Sequence, residues 1–238
     1  MAGRFHMDKF LRHFRHTLLL ASSLMMVMPG LAAETAEEFR LATEGYRYAF
    51  PRDHGSHEEF RTEWWYYTGQ VTTKDGRPFG YELTFFRRGM PREQTKTLPS
   101  KWAVPHLYLA HFAISDLSKG RFHYTDRMSR AALGKAGAAQ DRLHAWIDRW
   151  RAESPSAAPD TQILEAAEGD LAIRLTVSSE KPPIVHGTNG ISRKGPLIGQ
   201  ASHYYSFTRL ATTGTLTVGG ESFDVTGTSW MDHEFGSA

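Results

Sequence analysis

Trp230-Met231-Asp232-His233-Glu234-Phe235-Gly236 is the densest chemical cluster in the sequence. Three consecutive ionisable groups stand between aromatic residues. On an extended segment Asp232 and Glu234 share one face and His233 takes the other. A carboxylic acid in an apolar surround has its pKa raised and can deliver a proton near neutral pH. The alternative is a structural cluster with His233 hydrogen-bonded to a carboxylate. Asp232, His233 and Glu234 are therefore the catalytic candidates. Glu63-Trp64-Trp65-Tyr66-Tyr67 is equally unusual. Trp64 and Tyr66 face one way on a strand, Trp65 and Tyr67 the other. One pair is expected to fill a core; the other either packs outside or lines an apolar cavity, where indole N–H and phenol O–H groups orient a ligand. Asp53-His54-Gly55-Ser56-His57 places two histidines three apart, but Gly55 and Pro51 argue against a helix, so a polar loop is expected there. The glycine-rich stretch from His186 to Gly195 carries Arg193 and could cradle an anion, or serve as a surface loop. The sequence contains no nucleophile elbow, phosphate-binding loop, dinucleotide fingerprint or H-E-x-x-H pair.

The elements that position these residues read as β-strands. Phe79, Tyr81, Leu83 and Phe85 share one face, with Gly80, Glu82, Thr84 and Phe86 on the other. Asp75-Gly76 is a hairpin signal between Glu63–Val71 and this strand. Further strands are expected at 106–115, 121–125, 163–167, 171–177, 203–210, 215–218 and 221–228, with turns at Leu117–Gly120, Glu168–Asp170, Thr213-Gly214 and Gly219-Gly220. Residues 126–142 and 151–162 read as loops. About ten short strands separated by turn signals predict an all-β antiparallel barrel or sandwich. A barrel of about eight strands has room for packed side chains or one small ligand. Polar groups on its inner face are costly unless paired, which singles out Glu82, Thr84 and His111. Trp64, Tyr66, Glu82, His111 and Tyr205 are the candidates for a ligand-binding cavity wall.

The chain has 238 residues, 40% hydrophobic and 23% charged, which excludes a disordered chain and a polytopic membrane protein. Arg4, Lys9, Arg12, Arg15 and Asp8 are the charged residues of positions 1–33, so the remainder carries 24 basic and 25 acidic residues. With no basic excess, nucleic acid is not an expected partner. A basic start, the apolar run Leu18–Met28 and small residues around Leu31-Ala32-Ala33 form the three-part layout of a cleaved secretory signal. The expected location is periplasmic or secreted. The absence of cysteine removes disulfides, thiolate metal sites and a cysteine nucleophile.

Phe50–Gly55, Thr62–Gly69, Tyr108–Phe112, Gly187–Gly195, Ser202–Leu210 and Ser229–Ser237 together resemble the family of AttH-like and carotenoid 1,2-hydratase (CrtC-like) proteins, a branch of the lipocalin-like calycins. The resemblance implies a lipocalin-like barrel over residues 63–238, entered through a lead-in at 34–62. It implies a second barrel domain, absent from this sequence, as a partner. CrtC-like enzymes add water to an isoprenoid alkene without a cofactor, by protonation to a tertiary carbocation and capture by water. His233 matches the histidine of their H-x-[NE]-[WF] segment, Phe235 stands where they have tryptophan, and their acid carboxylate has no counterpart here. The expected function is binding or processing of a hydrophobic lipid- or isoprenoid-like ligand, with no cofactor and no metal. The alternatives are a hydratase completed by the second domain, and an accessory domain near a membrane or exporter complex.

Overall fold

The computed structural model describes residues 39–91, 105–156, 158, 160–188 and 190–237. The expected signal at 1–33 and the start of the lead-in lie outside them. Period-two alternation builds nearly everything else. β1 (Thr62–Thr73), β2 (Pro78–Gly89) and β3 (His106–Asp116) are long antiparallel strands, and β4 (Arg121–Arg130) follows them. Short strands β5 (Ala136–Ala138), β6 (His144–Ile147) and β7 (Trp150–Glu153) lead into β8 (Thr161–Glu168) and β9 (Leu171–Ser179). Two small strands, β10 (Ile184–Val185) and β11 (Ile191–Arg193), precede β12 (Ala201–Val218) and β13 (Glu221–Gly236). The strands form one sheet in the order β4-β3-β2-β1-β13-β12-β9-β8-β7-β6-β5, with β10 and β11 added to β12.

The sheet curls until its ends nearly meet. Arg127 of β4 bonds Glu168 at the end of β8 at 2.5 Å and Asp148 in the β6–β7 turn at 3.3 Å. Its guanidinium also lies 4.8 Å from the Trp150 ring. Inside, Phe112 of β3 meets Trp150 edge-on at 5.6 Å, and Tyr67 donates across the barrel to Gln162 at 2.8 Å. Near closure leaves little edge for pairing with another chain.

Two sequence expectations change here. Thr213-Gly214 is not a turn, because β12 runs straight through it. A Cβ at Gly214, whose φ is +146°, would lie 2.2 Å from the Arg174 carbonyl oxygen, so this glycine permits close approach of β9 rather than reversal. Residues 126–142 and 151–162 hold the end of β4, β5, most of β7 and the start of β8 rather than loops alone. Three-residue strands are too short to show a readable period.

The expected hollow interior is filled. Tyr67, Phe79, Leu83, Phe85, Phe112, Trp150 and Leu175 are all 0% exposed, so no water-sized void touches them. A second, smaller apolar cluster of Ala42, Phe60, Ala201 and Phe235 seals one end of the barrel beneath the lead-in.

Candidate functional site

Antiparallel register sets the key side chains in rows. Trp65, His233 and Tyr205 are lateral neighbours on β1, β13 and β12 and face inward. Trp64, Glu234 and Tyr204 form an outward row, and Tyr66, Asp232 and Ser206 form the next. Thr84 and His111 extend the second row over β2 and β3, while Phe86 extends the first. One stretch of sequence thus feeds two sites, one on each side of the sheet.

The inner site is a buried polar hub. Glu63 Oε2 accepts from Arg87 Nε at 2.9 Å, Ser56 Oγ at 3.0 Å and the His57 amide at 2.9 Å. Glu63 Oε1 accepts from His57 Nδ1 at 2.8 Å and His233 Nε2 at 2.9 Å. Burial pushes the Glu63 carboxyl up, but Arg87 and the two imidazoles outweigh it and hold it well below the usual carboxylate range. His57 also donates through Nε2 to Asp53 at 3.2 Å. Burial lowers its pKa; the two carboxylates more than offset this, and the net shift is upward. His57 is therefore an imidazolium with both N–H groups used. His233 differs: burial lowers it despite Glu63, leaving a neutral ring whose Nδ1 faces the Tyr205 hydroxyl at 3.0 Å. The same hydroxyl meets His54 Nδ1 at 2.7 Å.

His57, Glu63 and His233 offer ligand atoms within 4.8 Å of one another, a spacing that could hold a metal ion. The donor chemistry argues against one. His57 serves two carboxylates as a cation, and Arg87 already neutralises Glu63. A metal would have to displace the first and approach the second. The hub is best read as an ion-paired fastener that ties the lead-in to the barrel.

The outer site is a half-buried aromatic cleft. Asp232 Oδ1 accepts three donors: Tyr204 O–H at 2.9 Å, Trp230 Nε1–H at 2.6 Å and the Ser206 hydroxyl. Because Ser206 gives its proton to Asp232, the His186 Nε2 that lies 2.7 Å from Ser206 Oγ must be the donor there. Among the described residues, Asp232 Oδ2 has no hydrogen-bond partner, and Trp64, Tyr66, Tyr204 and Trp230 surround this acid in the sheet. Glu234 accepts from Ser202 and from Lys194 Nζ, the latter at 2.6 Å. Beyond Trp230 the cleft opens into a recess of about 570 Å³ at the β12 bulge, lined by Thr68, Gln70, Thr208, Arg209, Thr228 and Trp230. Opposite Thr68 on β2 stands Glu82, whose carboxyl burial pushes up against the opposing hydrogen bond from Thr84 at 3.0 Å.

Of the expected cavity wall, Tyr205 alone faces the interior. Trp64, Tyr66, Glu82 and His111 lie on the outer face, because the alternation marks two faces without saying which is inside. Asp232 and Glu234 oppose His233, as the extended reading expected, and His233 is fully buried. The glycine-rich loop brings a cation and an imidazole onto the cleft. Glu63, Arg87, Tyr204, Ser206 and Lys194 were not singled out from the sequence. Arg87 had a usable signal: it falls on the inward phase of β2 after Phe85, where a charge demands a partner.

The fold and these sites define an all-β, lipocalin-like antiparallel barrel protein whose barrel is packed and whose polar chemistry sits at one end and on the outer face. The AttH-like family model matches residues 41–238, and the chain belongs to that family. A crystal structure of a putative AttH from Nitrosomonas europaea is similar, at 32% identity and a TM-score of 0.73. The match covers 84% of this chain and 59% of that one. Kievitone hydratase from Nectria haematococca shares the fold at 13% identity and a TM-score of 0.58, over 84% of this chain and 57% of that one. The chain thus spans less than two thirds of the length of either. No curated protein sequence matches it.

Proposed function

We propose that this protein binds a hydrophobic, lipid- or isoprenoid-like molecule on the outer face of β2, β1, β13 and β12. The observation that carries the reading is Asp232. Three donors fix one carboxylate oxygen, and the other has no hydrogen-bond partner among the described residues, amid aromatic rings and next to a recess of a size that suits a small ligand. The rings supply apolar contact and the recess supplies room; Asp232 Oδ2 orients a hydroxyl or other donor. A solvatochromic hydrophobic probe should bind stoichiometrically, quench Trp64 and Trp230 emission, and be displaced by isoprenoid alcohols or fatty acids. An unchanged tryptophan signal at saturating probe would exclude the cleft.

A second reading, acid-catalysed hydration of an alkene, is favoured by Glu82. Burial holds this carboxyl towards its protonated form beside the recess. Glu82 would protonate the alkene, ring faces of Tyr66 and Trp230 would stabilise the carbocation, and water would add and return its proton to Glu82. Asp232 and Glu234 are the other carboxylates available to such a reaction. Mass-spectrometric detection of water addition to an acyclic isoprenoid, lost in Glu82→Gln, tests it; turnover retained in that variant removes Glu82.

A further inference from the structure

Lys194 lies in the loop between β11 and β12. Its amide and that of Gly195 both donate to the Gln200 carbonyl, at 2.8 and 3.2 Å, so residues 194–200 form a tight excursion. The tip does not pack: Leu197 is 64% exposed and Ile198 90%. From this loop the Lys194 side chain reaches onto the outer face. Its Nζ is 2.6 Å from Glu234 Oε2, 5.5 Å from the Tyr204 ring centroid and 5.9 Å from that of Trp64.

A carboxylate and two ring faces around one ammonium are the groups that recognise an alkylammonium ion. Here the acid and both rings stand on three adjacent strands, while the ammonium arrives on a loop with a free tip. The floor belongs to paired strands and the occupant to a loop, so the occupant can leave without breaking the strand pairing beneath it. Lys194 and Ser202 are the hydrogen-bond donors to Glu234 among the described residues. Without Lys194 a nearly buried carboxylate would face two rings with no ion-pair partner among the described residues.

We propose that Trp64, Tyr204 and Glu234 form a subsite for the ammonium head of an amphiphile, held shut by Lys194 until the 194–200 loop withdraws. The inference rests on the hydrophobic-ligand reading and names the head group that the site takes. Glu234 lies four positions along β13 from Trp230, roughly 13 Å, so a medium-length alkyl tail would run past Tyr66 towards the recess.

The test is equilibrium binding, read by tryptophan emission, of dodecyltrimethylammonium, dodecyl sulfate and dodecanol below their aggregation limits. The proteins are the wild type, Lys194→Ala, Lys194→Arg and Lys194→Ala/Glu234→Gln, each with a matching near-ultraviolet spectrum. Lys194→Ala should bind the ammonium probe about tenfold more tightly, with dodecanol unchanged. Lys194→Arg should behave as wild type, and Glu234→Gln should remove the gain. If Lys194→Ala strengthens all three probes equally, or leaves the ammonium probe unchanged while dodecanol still binds, the cation subsite is wrong and the apolar reading survives. If dodecanol binds none of the proteins, the apolar reading falls and takes the subsite with it.

Discussion

Asp232 and His233 are consecutive in the chain, yet their side chains serve opposite faces of β13. Asp232 receives three donors in the outer cleft, while His233 lies fully buried between Glu63 and Tyr205. On the proposed reading the two have different roles, ligand binding outside and anchoring within, and substitutions should separate them.

Asp232→Asn should weaken binding of a hydroxyl-bearing isoprenoid by about tenfold or more, the worth of a hydrogen bond to a charged group. Its melting temperature should shift little, since the cleft is half open. His233→Ala should do the reverse, lowering stability by about 1–3 kcal/mol by leaving buried partners unsatisfied. Paired titrations and thermal melts check both; a His233→Ala protein of unchanged stability would contradict the anchoring role.

Glu63→Gln should be among the most damaging single changes. It leaves the fully buried Arg87 guanidinium without its carboxylate and the His57 imidazolium with Asp53 alone, and breaking such a buried pair costs about 3–5 kcal/mol. Urea denaturation should show this as an early midpoint. Amide exchange should show the lead-in at residues 39–60 losing protection before the barrel does.

The histidines set opposite limbs of the stability–pH curve. Burial lowers His54 and His203 to about 4, whereas the unfolded rings protonate near 6.5, roughly the free value. Their stabilising contribution is complete above the unfolded value and is lost as pH falls towards about 4. His57 is raised, so its contribution is complete below the unfolded value and is lost as pH rises through the folded one. Urea midpoints across the acid and alkaline ranges should therefore decline on both sides. His57→Gln should flatten the alkaline limb and His54→Gln the acid limb.

Gly214→Ala should destabilise the protein by about 2–4 kcal/mol, combining strain at positive φ with overpacking against β9. The same change at Gly219, where a Cβ would meet open space, should cost less despite its φ of +62°. Equal losses at the two sites would mean that contact with β9 carries no weight.

The alternation along β1, β2 and β13 determined which residues share a face, and the hairpin signal at Asp75-Gly76 determined how β1 and β2 pair. Both are local properties of the backbone and can be read from neighbouring positions. Which face turns inward is different. A period of two looks the same from either side of a sheet, and Glu63-Trp64-Trp65-Tyr66-Tyr67 offers aromatic rings to both. Only the direction in which the sheet curls put Trp65 and Tyr67 in the core and left Trp64, Tyr66, Glu82 and His111 outside. The hub was equally hidden. Asp53, His57, Glu63, Arg87, Tyr205 and His233 come from the lead-in and four strands, and it takes the closing of the sheet to bring their charges close enough to pair.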